Sequence, residues 1–367
     1  MNRAPSLSGI ARQFEIEGKY RHAVPYGSGH INDTYCVFFD RLGSASRSVP
    51  SRCILQRINQ NVFHDPTAVM ENIERVTAHV ATQIAAEPDR DRRVLTLIPS
   101  RGGRAWHIDR DGSYWRAYRM IENAHACDEI HSPAQAFEAA RAFGLFQKQL
   151  ANLPVPRLRD TIPDFHHTPK RLRVLEEMIE QDPACRAAGA GPEIAFALER
   201  KPMTTALLDA HLPERVTHND TKFNNVLLDD QTGEAICVID LDTVMPGLAP
   251  YDFGDLVRTA ASPAKEDEQD LSEVRLRFDF FEAIARGYLS MAGEFLTGAE
   301  KESLALAGKL ITFEQGVRFL SDYLAGDLYY KVHRAGQNLE RCRTQFKLVE
   351  SMEAQEAAME RLVRSLK

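Results

Sequence analysis

The sequence predicts an α+β protein in two parts, a small antiparallel β region over residues 1–121 and a mainly helical region over 122–367. Three observations carry this. Between Tyr26 and Ile121 short apolar runs are separated by polar turns, the pattern of strands. From Pro133 onward apolar residues recur at helical spacing over long segments. The length of 367 residues exceeds what one core usually serves, so one large bilobal unit or two domains is expected.

In the first part the strand candidates are residues 34–39, 53–58, 94–99, 105–108 and 115–121, with a further candidate before Gly27. One helix interrupts them. It starts at Asp65-Pro66, where aspartate can cap and proline can occupy the first turn, and Val69, Ile73, Val76 and Val80 follow its period. The later helices are expected at 133–150, 169–181, 272–296, 300–324 with an extension toward His333, and 345–366. Residues 153–169 carry four prolines and are expected to form an irregular crossing, ended by Thr168 as N-cap and Pro169 as first helical residue.

Composition narrows the function. With 44% hydrophobic and 26% charged residues the chain reads as an ordinary folded protein. A balance of 45 basic against 52 acidic side chains, a net −7, argues against nucleic acid or an anionic membrane as partner. Cys36, Cys53, Cys127, Cys185, Cys237 and Cys342 lack CxxC spacing, so neither a zinc site nor a disulfide framework is suggested. No stretch has the length of a signal peptide or membrane span, and a cytoplasmic location is expected.

The chemistry concentrates in residues 216–256. An apolar run at 226–228, a polar glycine-containing turn at 229–234 and a second apolar run at 235–239 spell a β-hairpin. A hairpin returns the chain to its starting end, so Asn225 and Asp240 are expected side by side. An amide carbonyl and a carboxylate together suit Mg²⁺, which completes its shell with water and substrate phosphates. Asp220, in the loop entering the hairpin, is placed to accept a proton from an attacking hydroxyl. His218, Asp220 and Asn225 reproduce the H-x-D-x-x-x-x-N spacing of kinase catalytic loops. Asp242 either touches metal-bound water or substrate, or is solvated at the strand end. The bland alternative is that His218 and Asp220 cap a turn while Asn225 and Asp240 merely flank strands.

These residues, THNDTKFNNVLLD followed by CVIDLDTVMPG and YDFGD, resemble the phosphotransferase superfamily of aminoglycoside phosphotransferases, choline kinases and homoserine kinases. Within it the wording is most similar to the N-acetylhexosamine 1-kinases, and residues 27–35, 55–59, 63–73 and 314–331 agree. The resemblance implies a protein-kinase-like bilobal fold, Asp220 as catalytic aspartate, and Asn225 with Asp240 as metal ligands. The literal Asp252-Phe253-Gly254 reads as a decoy for the metal-binding DFG of protein kinases, because Asp240 ends the hairpin and Asp252 lies beyond a proline-interrupted loop. The resemblance gives Asp252 a supporting role, bracing the catalytic loop.

At the nucleotide end, Gly27, Ser28 and Gly29 form a glycine-containing turn whose backbone N–H groups can approach phosphates. The third glycine of GxGxxG is missing. The third-strand lysine of protein kinases is absent too, and Gln56 and Arg57 stand in its place. Arg57 is the candidate cation, with Glu71 or Glu74 as partner, or else a solvated strand residue. By position in the resembling fold, the backbone of Met120 and Glu122 forms the hinge for the adenine of ATP.

At the acceptor end, the resemblance suggests His30, Asn32 and Asp33 as substrate contacts. Arg318 and Asp322, one helical turn apart, can fork hydrogen bonds to adjacent sugar hydroxyls or form a plain surface pair. His166 and His167 read as loop residues. The expectation is an ATP- and Mg²⁺-dependent kinase whose small-molecule partners are a nucleotide and a sugar, phosphorylated at its anomeric hydroxyl. Choline, homoserine or aminoglycoside acceptors, and a pseudokinase module, are the alternatives.

Overall fold

The computed structural model describes residues 6–27, 29, 31–40 and 51–366. A short helix α1 (Leu7–Ala11) precedes a sheet built from β1 (Lys19–Pro25), β2 (Asp33–Asp40), β3 (Ser51–Arg57), β4 (Trp106–Ile108) and β5 (Tyr114–Arg119). Its strand order is β1-β2-β3-β5-β4, every pair antiparallel. Alternate residues Val37, Phe39, Cys53, Leu55, Trp115 and Ala117 face a core shared with Phe14 beside α1. Helix α2 (Pro66–Gln83) begins where Asp65 Oδ1 accepts from the Ala68 N–H at 3.0 Å, and the four-residue α3 (Arg90–Arg93) follows.

Residues 94–99 form no strand. Leu97 makes one isolated bridge to Tyr118, and the Ile98 N–H donates to the Ala117 carbonyl at 2.8 Å. Pro99 has no N–H to extend the ladder, and β4 takes up the same edge of β5 further along.

The helical part contains β6 (Ala124–Ala126), α4 (Pro133–Leu150), α5 (Thr168–Gln181), α6 (Gly191–Glu199), α7 (Ala206–Asp209) and β7 (Glu214–Thr217). It continues with β8 (Val226–Asp229), β9 (Ala235–Val238), β10 (Met245–Leu248), α8 (Ala249–Ala260), α9 (Phe278–Ala292), α10 (Gly298–Glu302), α11 (Leu304–Ala325) and α12 (Gln337–Ser365). Helix α4 packs along α9, and α11 is wrapped by α5, α8 and α12. The largest core joins α2 of the first part to α4, α8, α9 and the β8–β9 hairpin. Burial therefore runs continuously from the sheet-bearing part into the helical part. Among the described residues no helix is long and apolar enough to cross a membrane.

Several boundaries differ from the sequence expectation for local reasons. The helix expected from 272 starts at Phe278, because Asp270 Oδ1 accepts from both the N–H and hydroxyl of Ser272 and holds that stretch in a turn. Helix α11 does not run on to His333. It stops at Gly326, whose φ of 100° is left-handed. The cap of α5 is His167, whose ring accepts from the Lys170 N–H at 3.3 Å. Thr168 instead gives its hydroxyl to Glu314 on α11, at 2.6 Å. Helix α12 begins at Gln337, ahead of the expected 345.

Candidate active site

The loop between β7 and β8 is held from three sides. β7 pairs antiparallel with β10, bringing Thr217 opposite Met245. The Thr243 hydroxyl donates to the His218 carbonyl at 2.7 Å, and Asn219 Nδ2 donates to the Thr243 carbonyl at 2.9 Å. Asn219 has a φ of 65°, a left-handed conformation that its short amide offsets by bonding nearby backbone. Next to it, His218 is fully buried against the rings of Phe143 and Phe146. Its Nε2–H donates to the Ile239 carbonyl at 2.9 Å, leaving Nδ1 to accept from the Asp220 N–H at 3.3 Å.

Asp252 supports this loop from below. It lies in the first turn of α8, 1% exposed, and accepts from the His218 N–H at 2.9 Å, the Asn219 N–H at 2.7 Å and Gln147 Nε2 at 2.6 Å. Burial raises its pKa, partly offset by His218 and by those donors. Gly254 of the same triplet backs directly onto the Ala307 backbone, where α8 crosses α11. The Asp-Phe-Gly string is thus the start of a buried helix.

Asp220 has its carboxylate 3.0 Å from Lys222 Nζ, and it accepts from Asn225 Nδ2 at 3.3 Å. Burial pushes the Asp220 pKa up, but Lys222, with help from His218 and Arg258, outweighs burial and leaves it below the ordinary value. Lys222 is a residue the sequence reading passed over. Its position two residues after Asp220, inside the loop motif, was the available signal.

The hairpin of β8 and β9 brings its ends together, with the Ile239 N–H donating to the Asn225 carbonyl at 2.9 Å. Asn225 spends its Nδ2 on Asp220, while its Oδ1 accepts no hydrogen bond among the described residues. Asp240 follows in a left-handed conformation, φ 59°, and its carboxylate has no hydrogen-bond partner among the described residues. It is exposed to solvent. Crowding by protein, then the Asp242 and Asp220 carboxylates, push its pKa up to about 6, with Arg116 and His218 opposing. An underneutralised carboxylate beside a free amide oxygen fits a divalent cation. Among the described residues no three His, Cys, Asp or Glu converge as a metal cage, so such an ion would need phosphate and water as further ligands.

Asp242 is not solvated. It is buried and paired with Arg116 on β5, their side chains 3% and 1% exposed. Asn32, from the β1–β2 turn, donates Nδ2 to the other Asp242 oxygen at 2.6 Å while its Oδ1 accepts from the Asn59 N–H at 3.0 Å. Arg116 also donates to Gln56 Oε1 at 2.9 Å, and Gln56 Nε2 to the Thr34 hydroxyl at 2.9 Å. One polar chain therefore ties the sheet to the hairpin. The buried cation next to Asp242 is Arg116, not Arg57, and no signal in the sequence singled it out.

Other expected contacts are placed elsewhere. Arg57 is paired with Asp33, its register neighbour on β2, and lies 5.9 Å from the Trp115 ring. Glu71 pairs with Arg159 at 3.2 Å, so it does not partner Arg57, and no Arg57–Glu74 ion pair forms among the described residues. Asn32 is hydrogen-bonded within the protein, and Asp33 forms its pair with Arg57 at the surface. Gly27, with φ 80°, and Gly29 leave open space where a side chain would project, whereas Ser28 and His30 lie outside the described residues. Met120 follows β5 directly; the Glu122 carboxylate pairs with Arg52 and its carbonyl accepts from Arg92 Nε at 3.2 Å.

Asp322 does not fork with Arg318. Its Oδ1 accepts the N–H groups of Leu328 at 2.9 Å and Tyr329 at 2.8 Å, and its Oδ2 accepts from the Tyr330 N–H and Asn338 Nδ2. Four donors fill the carboxylate, making it the cap of the turn after α11. Arg318 points instead over the Phe165 ring at 5.0 Å, with Tyr330 at 5.9 Å, and donates to Gln315 Oε1 at 3.2 Å.

The fold recurs in known structures. An aminoglycoside phosphotransferase from Alicyclobacillus acidocaldarius superposes with a TM-score of 0.61 at 12% identity, covering 99% of this chain and 98% of that one. A microcompartment-associated aminopropanol kinase gives 0.58 at 16% identity over 96% and 97% of the two chains. A choline kinase from Cryptosporidium parvum gives 0.55 at 14% identity over 98% of each. At such identities the likeness establishes the protein-kinase-like fold. The model of the phosphotransferase enzyme family APH matches residues 24–293, and the chain belongs to that family of small-molecule kinases.

Proposed function

We propose that the chain transfers the γ-phosphate of ATP to a sugar, at the anomeric hydroxyl of an N-acetylhexosamine or hexose. The observation that carries the choice of acceptor is a pair of guanidiniums. Arg171 and Arg318 have no carboxylate within ion-pair distance among the described residues; burial, then Arg318, lowers the Arg171 pKa, whereas for Arg318 burial is outweighed by Tyr330 and Glu314. Among the described residues Arg171 donates only to the Phe165 carbonyl, at 2.9 and 3.2 Å. The aromatic faces of Phe165 and Tyr330, which a quaternary ammonium would need, are already covered by Arg318. Such a surface repels a cationic acceptor and offers donors to uncharged hydroxyl and carbonyl oxygens. The wording of residues 216–256, similar to N-acetylhexosamine 1-kinases, supports the same reading.

In this mechanism the acceptor hydroxyl binds beside Asp220, which takes its proton as the new oxygen–phosphorus bond forms and the bond to the ADP leaving oxygen breaks. Lys222 keeps Asp220 ionised and ready for that proton. Asn225 Oδ1 and Asp240 would hold Mg²⁺, whose contribution is to neutralise charge on the phosphates. His218 and Asp252 fix the loop so that Asp220 need not reorganise. Gly27 and Gly29 let the turn approach the phosphates closely, and Met120 and the N–H of Glu122 border the adenine.

The test is an acceptor panel of N-acetylglucosamine, N-acetylgalactosamine, glucose, choline, ethanolamine, homoserine and an aminoglycoside, with phosphorus NMR to locate the ester. A sugar 1-phosphate is expected. Selective phosphorylation of choline, ethanolamine, homoserine or the aminoglycoside, or a sugar substituted only at its 6-position, overturns the acceptor assignment.

A further inference from the structure

His166 lies in the proline-rich crossing between α4 and α5, a position that suggests an ordinary loop residue. The fold buries it between two acceptors. Its Nδ1 is 2.8 Å from Glu314 Oε1 on α11, and its Nε2 is 3.0 Å from the Asn219 carbonyl in the loop that carries Asp220. A carbonyl oxygen only accepts, so Nε2 bears a hydrogen. An ionised carboxylate also only accepts, so Nδ1 bears one too. Burial opposes charge on Glu314, but His166, the Thr168 hydroxyl that donates to its other oxygen at 2.6 Å, and Arg318 outweigh it and keep its pKa below the ordinary value, so Glu314 stays ionised.

We propose that His166 is a positioning residue of the catalytic loop, an imidazolium that ties Glu314 on α11 to the peptide joining Asn219 and Asp220. The Asn219 carbonyl and the Asp220 N–H belong to one peptide unit, so fixing that oxygen fixes the plane from which the Asp220 side chain departs. The other face of the same peptide is held by His218 Nδ1. The clamp thus sets the orientation of Asp220 without touching substrate.

The charged and titratable surroundings agree. Burial opposes charge on His166, and Glu314, then Asp255 on α8 and the Asn219 carbonyl, overcome it and raise its pKa above 6.5. Tyr251 on α8 packs its ring 5.2 Å from the imidazole. Arg318 on α11 and Arg171 on α5 act on the pair through Glu314. A folded pKa raised above the unfolded one means that the clamp's contribution is complete below pH 6.5 and lost as pH rises through the folded pKa.

Nitrogen-15 NMR of histidine-labelled protein, with the signal assigned by its loss in His166→Phe, reads the charge directly. Imidazolium shifts at pH 7 and titration above 6.5 are expected. In kinetics, His166→Phe is expected to lower kcat by about 10²-fold, the scale of a misplaced reacting group, with KM for Mg·ATP changed less than about twofold. Glu314→Gln is expected to move the alkaline limb of the kcat profile to lower pH. A neutral His166 at pH 6–7, or a folded His166→Phe with wild-type kcat, overturns the proposal. If His166→Phe does not fold, its spectrum being then replaced by that of Glu314→Gln for assignment, the NMR titration and the Glu314→Gln profile still decide. The proposal rests on Asp220 receiving the acceptor proton, and that reading fails separately, through an active Asp220→Asn, while the NMR result judges His166 on its own.

Discussion

Replacing Arg116 by methionine keeps an unbranched apolar stem and removes the guanidinium with its charge. The Asp242 carboxylate, 3% exposed, is then left with only Asn32 donating to it among the described residues and with Asp240 close by. Removing one partner of a buried pair strands the other, which costs about 3–5 kcal/mol. Both tryptophans, Trp106 and Trp115, lie in the sheet that Arg116 belongs to, so tryptophan fluorescence in a urea titration reports the affected region. The buried carboxylate is penalised only while it carries charge, so the deficit relative to wild type is expected to be larger at pH 8 than at pH 5. Arg116→Met combined with Asp242→Asn removes both charges, and the double variant is expected to recover more than half of the loss. A single variant within about 1 kcal/mol of wild type, or a double variant whose loss equals the sum of the singles, would refute the account of this pair as the link between sheet and hairpin.

Further outcomes follow from the same geometry. Asp220→Asn is expected to bind nucleotide normally while kcat falls about 10²–10⁴-fold, the range for losing a positioned base; near-wild-type turnover at saturating acceptor would remove it from the reaction. Because the Asp240 pKa stands at about 6, protons compete with Mg²⁺ there, and Mg·ATP affinity by calorimetry should weaken by roughly tenfold per unit below pH 6 and level off above 7. Asp240→Asn, which shares the nucleotide's own titration, should lack this extra slope. For the unliganded protein the raised pKa has the opposite sense, favouring stability at acid pH and losing it as pH rises through about 6. Gly254→Ala drives a methyl group into the Ala307 backbone at the α8–α11 crossing, and a loss of about 1–3 kcal/mol in thermal or urea unfolding is expected, with Asp252 and the loop it braces displaced.

What the sequence determined by itself was whatever depends on neighbours in the chain. Asp65 and Pro66 start α2, Ser132 and Pro133 start α4, and the polar turn after Asp229 closes the hairpin that sets Asn225 beside Asp240. These are features of capping, period and turn chemistry, complete within a dozen or so residues. The spacing from His218 through Asp220 to Asn225 is legible for the same reason, and it already contained Lys222. The tertiary structure decided which charges meet. Arg116 and Asp242 are 126 residues apart, His166 and Glu314 are 148 apart, and nothing in either local pattern names the partner. Asp322 and Arg57 show the converse. Asp322 has a plausible partner one helical turn away and Arg57 has two candidate glutamates on the next helix, yet Asp322 satisfies four donors beyond the helix end, and Arg57 takes the aspartate opposite it in the sheet. Burying an ionised group is costly unless every lone pair or hydrogen is met, so the packed arrangement that meets them all, rather than sequence proximity, selects the pairs.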